Sequence, residues 1–266
     1  MFPLKDNIPT RRFPILTVAL IVANVLMFFF FEEARLSLSG ASVDDQRVVE
    51  YGAIPYEITH PNDDCGIARG GVGGGQVVCE GMPDVIGEPP SQPPFWVTMF
   101  TSMFMHGGLL HLLGNMLFLW IFGNNIEDSM GRAKFVAFYL LGGLAATAAQ
   151  TLVSPNEDVP TLGASGAVAA VLGGYAILYP RARVVTLILI VFFITIVEVP
   201  ALVVLGLWFL IQILYGTAEL AQPVGGAGGV AYFAHIGGFI FGLLLIKAFA
   251  NRVHRDYEVE RRLPVY

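Results

Sequence analysis

The sequence is poor in charge. Of its 266 residues, 14% are Asp, Glu, Lys or Arg and 55% are hydrophobic, and mean hydropathy is +0.65. A soluble domain carries about 25% charged residues, so an ordinary soluble enzyme is excluded. Cysteine is nearly absent: Cys65 and Cys79 are the only two. With His60 the one imidazole near them, no metal site is expected. A His-Glu-x-x-His motif is missing, as is a pair of aspartates within apolar stretches, which excludes the zinc and aspartyl types of intramembrane protease. The glycine run at 70–75 does not join a strand to a helix, so no phosphate loop is read there. The sequence calls for no cofactor and no nucleic-acid partner.

What is present is a series of apolar blocks of about twenty residues, the length that crosses roughly 30 Å of hydrocarbon. Residues 13–31 form the first, read as a retained span after a short polar segment at 1–12. Residues 32–95 form a polar insert that carries both cysteines, with a glycine-rich stretch and then a stiff proline-rich approach at 88–94. In an oxidising compartment Cys65 and Cys79 would close a loop worth about 3 kcal/mol; two free thiols is the other reading. Residues 95–105 are apolar but short and are expected at the membrane interface. Spans follow at about 107–126, 135–153 and 162–179.

The apolar run at 184–215 is too long for one span and too short for two. Glu198 and Pro200 interrupt it. An acid and a proline suit the first turn of a helix, so the fifth span is expected from Pro200 to about Leu220. That leaves 184–197 along the interface or dipping into the protein. The sixth span is read at 230–250, before a basic tail at 251–266 with Arg252, Arg255, Arg261 and Arg262. The expected fold is an all-α polytopic bundle of six transmembrane helices in the lipid bilayer.

Charge sets the orientation. Residues 32–95 hold eleven acids and three bases, and the other twelve bases flank the remaining spans. Basic residues mark the cytoplasmic side of short loops. Both termini are therefore expected to be cytoplasmic, in what is read as a bacterial plasma membrane, with the insert outside it.

Two polar residues stand out in the apolar blocks. Ser165 heads Gly163-Ala164-Ser165-Gly166-Ala167, and His235 sits in Ala234-His235-Ile236-Gly237-Gly238. A polar residue within a span is a functional candidate because desolvating it costs free energy. A hydroxyl with a neutral imidazole as base is the minimum for nucleophilic catalysis. Taken singly, each has a plainer reading: Ser165 as a small packing residue, His235 as a structural link between helices. His235, Gly238 and Gly242 share one helix face, and Ser165, Ala169 and Gly173 share another. Small residues at this spacing let helices approach closely in lipid, which favours a Ser-His dyad. His111 and Asn115, one turn apart, are candidate oxyanion donors together with the Ser165 backbone N–H, or else a polar tie between spans. His106 is read as a loop anchor.

Three blocks resemble the rhomboid intramembrane serine proteases: His106-Gly107-Gly108-Leu109-Leu110-His111-Leu112-Leu113-Gly114-Asn115, Gly163-Ala164-Ser165-Gly166, and Ala234-His235-Ile236-Gly237-Gly238 with Gly242. The resemblance covers residues 96–250. It implies Ser165 as nucleophile, His235 as base, and His111, Asn115 and the Ser165 amide around the oxyanion. It also implies a six-helix fold that cleaves single-span transmembrane protein substrates in or near the spanning segment; the charge-set topology places the active site toward the extracytoplasmic side. The sequence departs from the family pattern at three places. Trp96 lies one position out of step with the family's Trp-Arg pair. Ala169 stands where many members place a tyrosine against the histidine, and Ser129 stands where some carry an arginine. An inactive escort protein of the same family is the competing reading. A channel or transporter is disfavoured by the lack of mid-membrane charge and of repeated spans.

Overall fold

The computed structural model describes residues 2–37, 40–67, 77–82, 92–190, 193–220 and 230–251. The glycine run at 70–75, part of the proline-rich stretch at 88–94, the loop at 221–229 and the four tail arginines lie outside the described residues. The chain opens as strand β1 (Phe2–Asp6) and continues as helix α1 (Ile15–Phe31). The insert holds β2 (Arg35–Ser37), β3 (Gly40–Ser42), α2 (Asp45–Tyr51), α3 (Pro55–Thr59), β4 (Cys65–Ile67) and β5 (Val77–Cys79). After the short helix α4 (Phe95–Phe104) come α5 (Leu109–Met130), α6 (Arg132–Val153) and α7 (Ser165–Leu178). Strands β6 (Arg183–Ile190) and β7 (Phe193–Pro200) precede α8 (Ala201–Leu220) and α9 (Tyr232–Phe249).

The described structure is mostly helical. Helices α5, α6, α8 and α9 are each long and apolar enough to cross a membrane, whereas α1 and α7 are shorter. Helix α7 has 14 residues, about 21 Å at 1.5 Å per residue, so it cannot reach both faces of a 30 Å hydrocarbon layer. It is the hub of the bundle, packed against α6 on one side and α9 on the other. Gly166 through Tyr175 are all buried.

The seam between α7 and α9 is made of backbone. A Cβ on Gly238 would strike the Gly166 carbonyl, one on Gly242 the Ala170 carbonyl, and one on Gly173 the Phe239 carbonyl. The small-residue faces expected from the sequence do meet, at a distance that only glycine permits.

At the opposite end from the insert, the helix ends are tied by side chains. Glu127 accepts hydrogen bonds from the backbone N–H groups of Leu16 and Thr17, at 3.1 and 2.8 Å, and from the Thr17 hydroxyl at 2.8 Å. It thus satisfies donors that the first turn of α1 leaves open. Gly131, at φ +80°, makes the turn from α5 to α6, a conformation that side chains with a Cβ rarely adopt.

The all-α expectation needs correction. Strands β6 and β7 form an antiparallel hairpin, and β1 adds to the free edge of β6 to give a three-stranded sheet in the order β1-β6-β7. The stretch read as interfacial is therefore sheet. Its sequence is dense in Val, Ile and Thr, which favour a pleated backbone, and a continuous apolar run carries no period to separate strand from helix. Ile194 and Ile196 stay 74% and 58% exposed at the hairpin. The fifth helix does start after Pro200 as expected, but Glu198 lies in β7, 3.8 Å from Arg183, and not in a helical first turn.

The insert is a small unit with its own core of Val49, Ile54, Tyr56, Cys65 and Cys79. Cys65 and Cys79 face each other across β4 and β5 and are joined in a disulfide. The unit docks on the loop between α6 and α7. Ala53 exchanges backbone hydrogen bonds with Thr161, and Tyr56 N–H donates to the Glu157 carbonyl at 3.0 Å. The Thr59 hydroxyl donates to the Pro155 carbonyl at 2.7 Å.

Candidate active site

Ser165 is the first residue of α7, and the shortness of α7 sinks it below the level of the longer helix ends. His235 lies in the first turn of α9, beside the glycine seam. A cavity of about 1040 Å³ opens between α5 and α8, and Ser165, His235, His111 and Asn115 all line it. The four residues singled out from the sequence therefore share one space. Among the described residues Ser165 Oγ makes no hydrogen bond, and in an empty site such bonds are often loose.

Gly163 brings the serine and His111 together. Its φ of +117° requires glycine, and a Cβ placed there would lie 2.7 Å from His111 Cε1 and 3.4 Å from Ser165 Oγ. The His111 ring thus reaches over the turn that leads into Ser165. Asn115 lies one turn further along α5. Its Nδ2 is buried without a hydrogen-bond partner, an arrangement costly enough to need a reason. An amide donor lining a cavity and left open suits an acceptor that arrives with the substrate.

His106 does not line the cavity. It is fully buried in the loop before α5, and its ring meets that of His111 edge-on at 5.2 Å. Its backbone N–H donates to both carboxylate oxygens of Glu32, at 3.1 and 3.0 Å. Burial, helped by the neighbouring His111, pushes the His106 imidazole down to about 3, so it is neutral. Burial pushes Glu32 up to about 7, against the opposing pull of the His106 N–H. His106 is thus held in the loop through its backbone N–H, and neither ring nitrogen has a hydrogen-bond partner among the described residues.

Two residues around His235 were not singled out from the sequence. Gln212, on α8, has its Oε1 2.8 Å from His235 Nδ1. Trp208, one turn earlier on α8, places its indole 5.6 Å from the imidazole. Ala169 itself is fully buried on α7. The available signal was Gln212 itself, the one side-chain amide of α8. Gln150 closes the other side: its Oε1 accepts from the Ala234 N–H at 3.3 Å and its Nε2 donates to Glu157 at 3.1 Å.

A rhomboid domain profile matches residues 93–252. The chain belongs to the rhomboid family. A presenilin-associated rhomboid-like protein A, mitochondrial, of Danio rerio is 29% identical over 160 residues, 59% of this chain and 38% of that protein. Rhomboid protein 1, mitochondrial, of Saccharomyces cerevisiae is 31% identical over 154 residues, 56% of this chain and 40% of that protein. The rhomboid protease GluP of Bacillus subtilis is 28% identical over 166 residues, 62% of this chain and 24% of that protein. The chain thus spans well under half the length of these relatives. Two of them are mitochondrial by name, as is a further one from Mus musculus, and this overturns the expected bacterial plasma membrane. The physical reason is plain: spans and flanking charge report that a bilayer is crossed and in which sense, not which membrane it is.

Proposed function

We propose that this rhomboid is an intramembrane serine endopeptidase acting on single-span membrane proteins in or near their spanning segment. The observation that carries the reading is the cavity shared by Ser165, His235, His111 and Asn115; the name of the Bacillus relative, a rhomboid protease, supports it. Ser165 Oγ attacks the scissile carbonyl carbon while its proton passes to His235 Nε2. The carbonyl oxygen becomes an oxyanion, which accepts from Asn115 Nδ2, the His111 ring and the Ser165 backbone N–H. His235 returns the proton to the leaving amine as the C–N bond breaks. Water, deprotonated by the same imidazole, then releases the acyl group and restores the serine. The recess of Ser165 beneath the helix ends admits water from the insert side while the flanks face lipid.

The topology that goes with this mechanism has six membrane helices, with α1 and α7 as the short ones, and both termini on the base-rich side. A cavity walled by α5 and α8 offers a substrate helix a lateral way in. The competing reading, an inactive escort, predicts binding without turnover. In proteoliposomes holding a single-span substrate, Ser165→Ala and His235→Ala should each lower cleavage by roughly a thousandfold or more, with no response to EDTA. Cleavage that survives in Ser165→Ala rejects the proposal, and wild-type protein that binds substrate without cutting it supports the escort.

A further inference from the structure

We infer that Gln212 is the positioning residue of the site: it holds His235 in the one tautomer that can take the serine proton. The inference rests on the protease reading but comes from a separate observation. Helix α8 presents most of its side chains outward, and Leu202, Val203, Leu207, Leu210, Leu214 and Tyr215 are all exposed. Its buried residues are Ala201, Leu205, Gln212 and Gly216. A buried amide on so apolar a helix is expensive unless it is paired.

Gln212 is paired at both ends, and the pairing fixes its direction. Its Nε2 donates to the Trp208 carbonyl at 3.0 Å, which leaves Oε1 as the atom 2.8 Å from His235 Nδ1. An amide oxygen only accepts. His235 Nδ1 must therefore carry the hydrogen, and Nε2 keeps its lone pair. Among the described residues no carboxylate stands behind the imidazole and Gln212 is the partner of Nδ1, while the indole of Trp208, one turn earlier on the same helix, limits ring rotation. Gln212 orients the base without adding charge to a poorly solvated site. The Nδ1 hydrogen bond also persists when the imidazole is protonated, so the contact serves both proton transfers.

The test uses full-length protein in lipid, labelled with ¹⁵N-histidine, with the His235 signals identified by their loss in His235→Ala. Wild type should show a protonated Nδ1 and an unprotonated Nε2. Gln212→Leu should shift that pattern toward the other tautomer and slow fluorophosphonate labelling of Ser165 by roughly tenfold or more. Gln212→Glu, which keeps an acceptor oxygen, should recover both readouts relative to the leucine variant. An unchanged tautomer in Gln212→Leu, or labelling of that variant at the wild-type rate, overturns the inference. The tautomer is read only on protein that keeps its wild-type melting transition; if the leucine variant does not fold, wild type alone decides, because a protonated Nε2 there contradicts the assignment. Wild-type protein that resists labelling altogether counts against the protease reading, and the tautomer comparison still decides the role of Gln212.

Discussion

Helices α7 and α8 both border the candidate site, and they are built in opposite ways. Helix α7 is short and buried nearly throughout, and it meets α9 backbone to backbone at Gly166, Gly173, Gly238 and Gly242. Helix α8 is 20 residues long, buries four of them, and turns a row of large apolar side chains outward. The seam leaves no room for its helices to slide, because contacts this close have no slack. Helix α8 touches the site mainly through Trp208 and Gln212. One wall of the site therefore fixes the backbone positions of Ser165 and His235, while the other can shift at the cost of few contacts. The proposed entry of a substrate from the bilayer would use such a wall, and Gln212, the partner of His235 Nδ1, sits on it.

The largest effect that can break this contrast falls on the seam. Gly242→Leu would drive a side chain into the Ala170 carbonyl and against the Gly174 nitrogen, 2.8 Å from the new Cβ. Backbone on both sides cannot give way, so the destabilisation should exceed about 4 kcal/mol, the range reserved for severe packing faults. The protein should fail to reach a cooperative melting transition in detergent and should lose Ser165 labelling. A Gly242→Leu variant that melts like wild type would mean the seam is not rigid.

Much of this seam could be read in the sequence, and the α8 wall could not. The spacing of Gly238 and Gly242 after His235, and of Ala169 and Gly173 after Ser165, carries the packing because in lipid small residues mark close approach. The helices at 132–153 and 232–249 followed from apolar length, and the one at 201–220 from Pro200, which interrupts a run whose length alone was ambiguous. The sheet β1-β6-β7 was hidden because β1 comes from a polar N-terminal stretch whose partner lies about 180 residues away, and local pattern holds no information on such pairing. Gln212 was hidden for a related reason. Its part depends on facing His235 across two helices, and a lone glutamine in an apolar run has no spacing to announce it.

The rim of the cavity gives a third surface to set beside the two walls, and it is held by the insert and its disulfide. Glu57, in α3, accepts the Cys65 N–H at 3.0 Å and is 5% exposed. Burial pushes its carboxyl up to about 7; the Cys65 N–H opposes that rise and Asp64 adds to it. An acid whose pKa rises on folding binds more protons folded than unfolded, so the insert loses stability as pH climbs from about 4.5 to about 7 and levels off above. Glu57→Gln keeps the acceptor and removes the charge. Since both cysteines are fully buried, a phosphine reaches the disulfide only when the insert opens. Reduction of the variant should be several-fold slower than wild type at pH 8 and equal to it at pH 4, below the unfolded-state pKa. The same ratio at both pH values would show that Glu57 does not govern the rim.

The smallest expected effect completes the comparison from the α8 side. Gly206 lies in the second turn of α8, and a Cβ there would meet nothing within 4 Å. Adding a methyl group costs no packing and removes the backbone freedom that makes glycine a poor helix residue, a gain of roughly 0.5–1 kcal/mol. Gly206→Ala should therefore melt at or slightly above the wild-type temperature. Cleavage in proteoliposomes separates two ways in which α8 can serve the site. If the helix moves as a rigid wall, turnover stays at the wild-type level, because nothing that touches Trp208 or Gln212 has changed. If it bends at this glycine to admit substrate, turnover falls although stability does not. That outcome would place the hinge within the helix, about one and a half turns from the amide that holds His235.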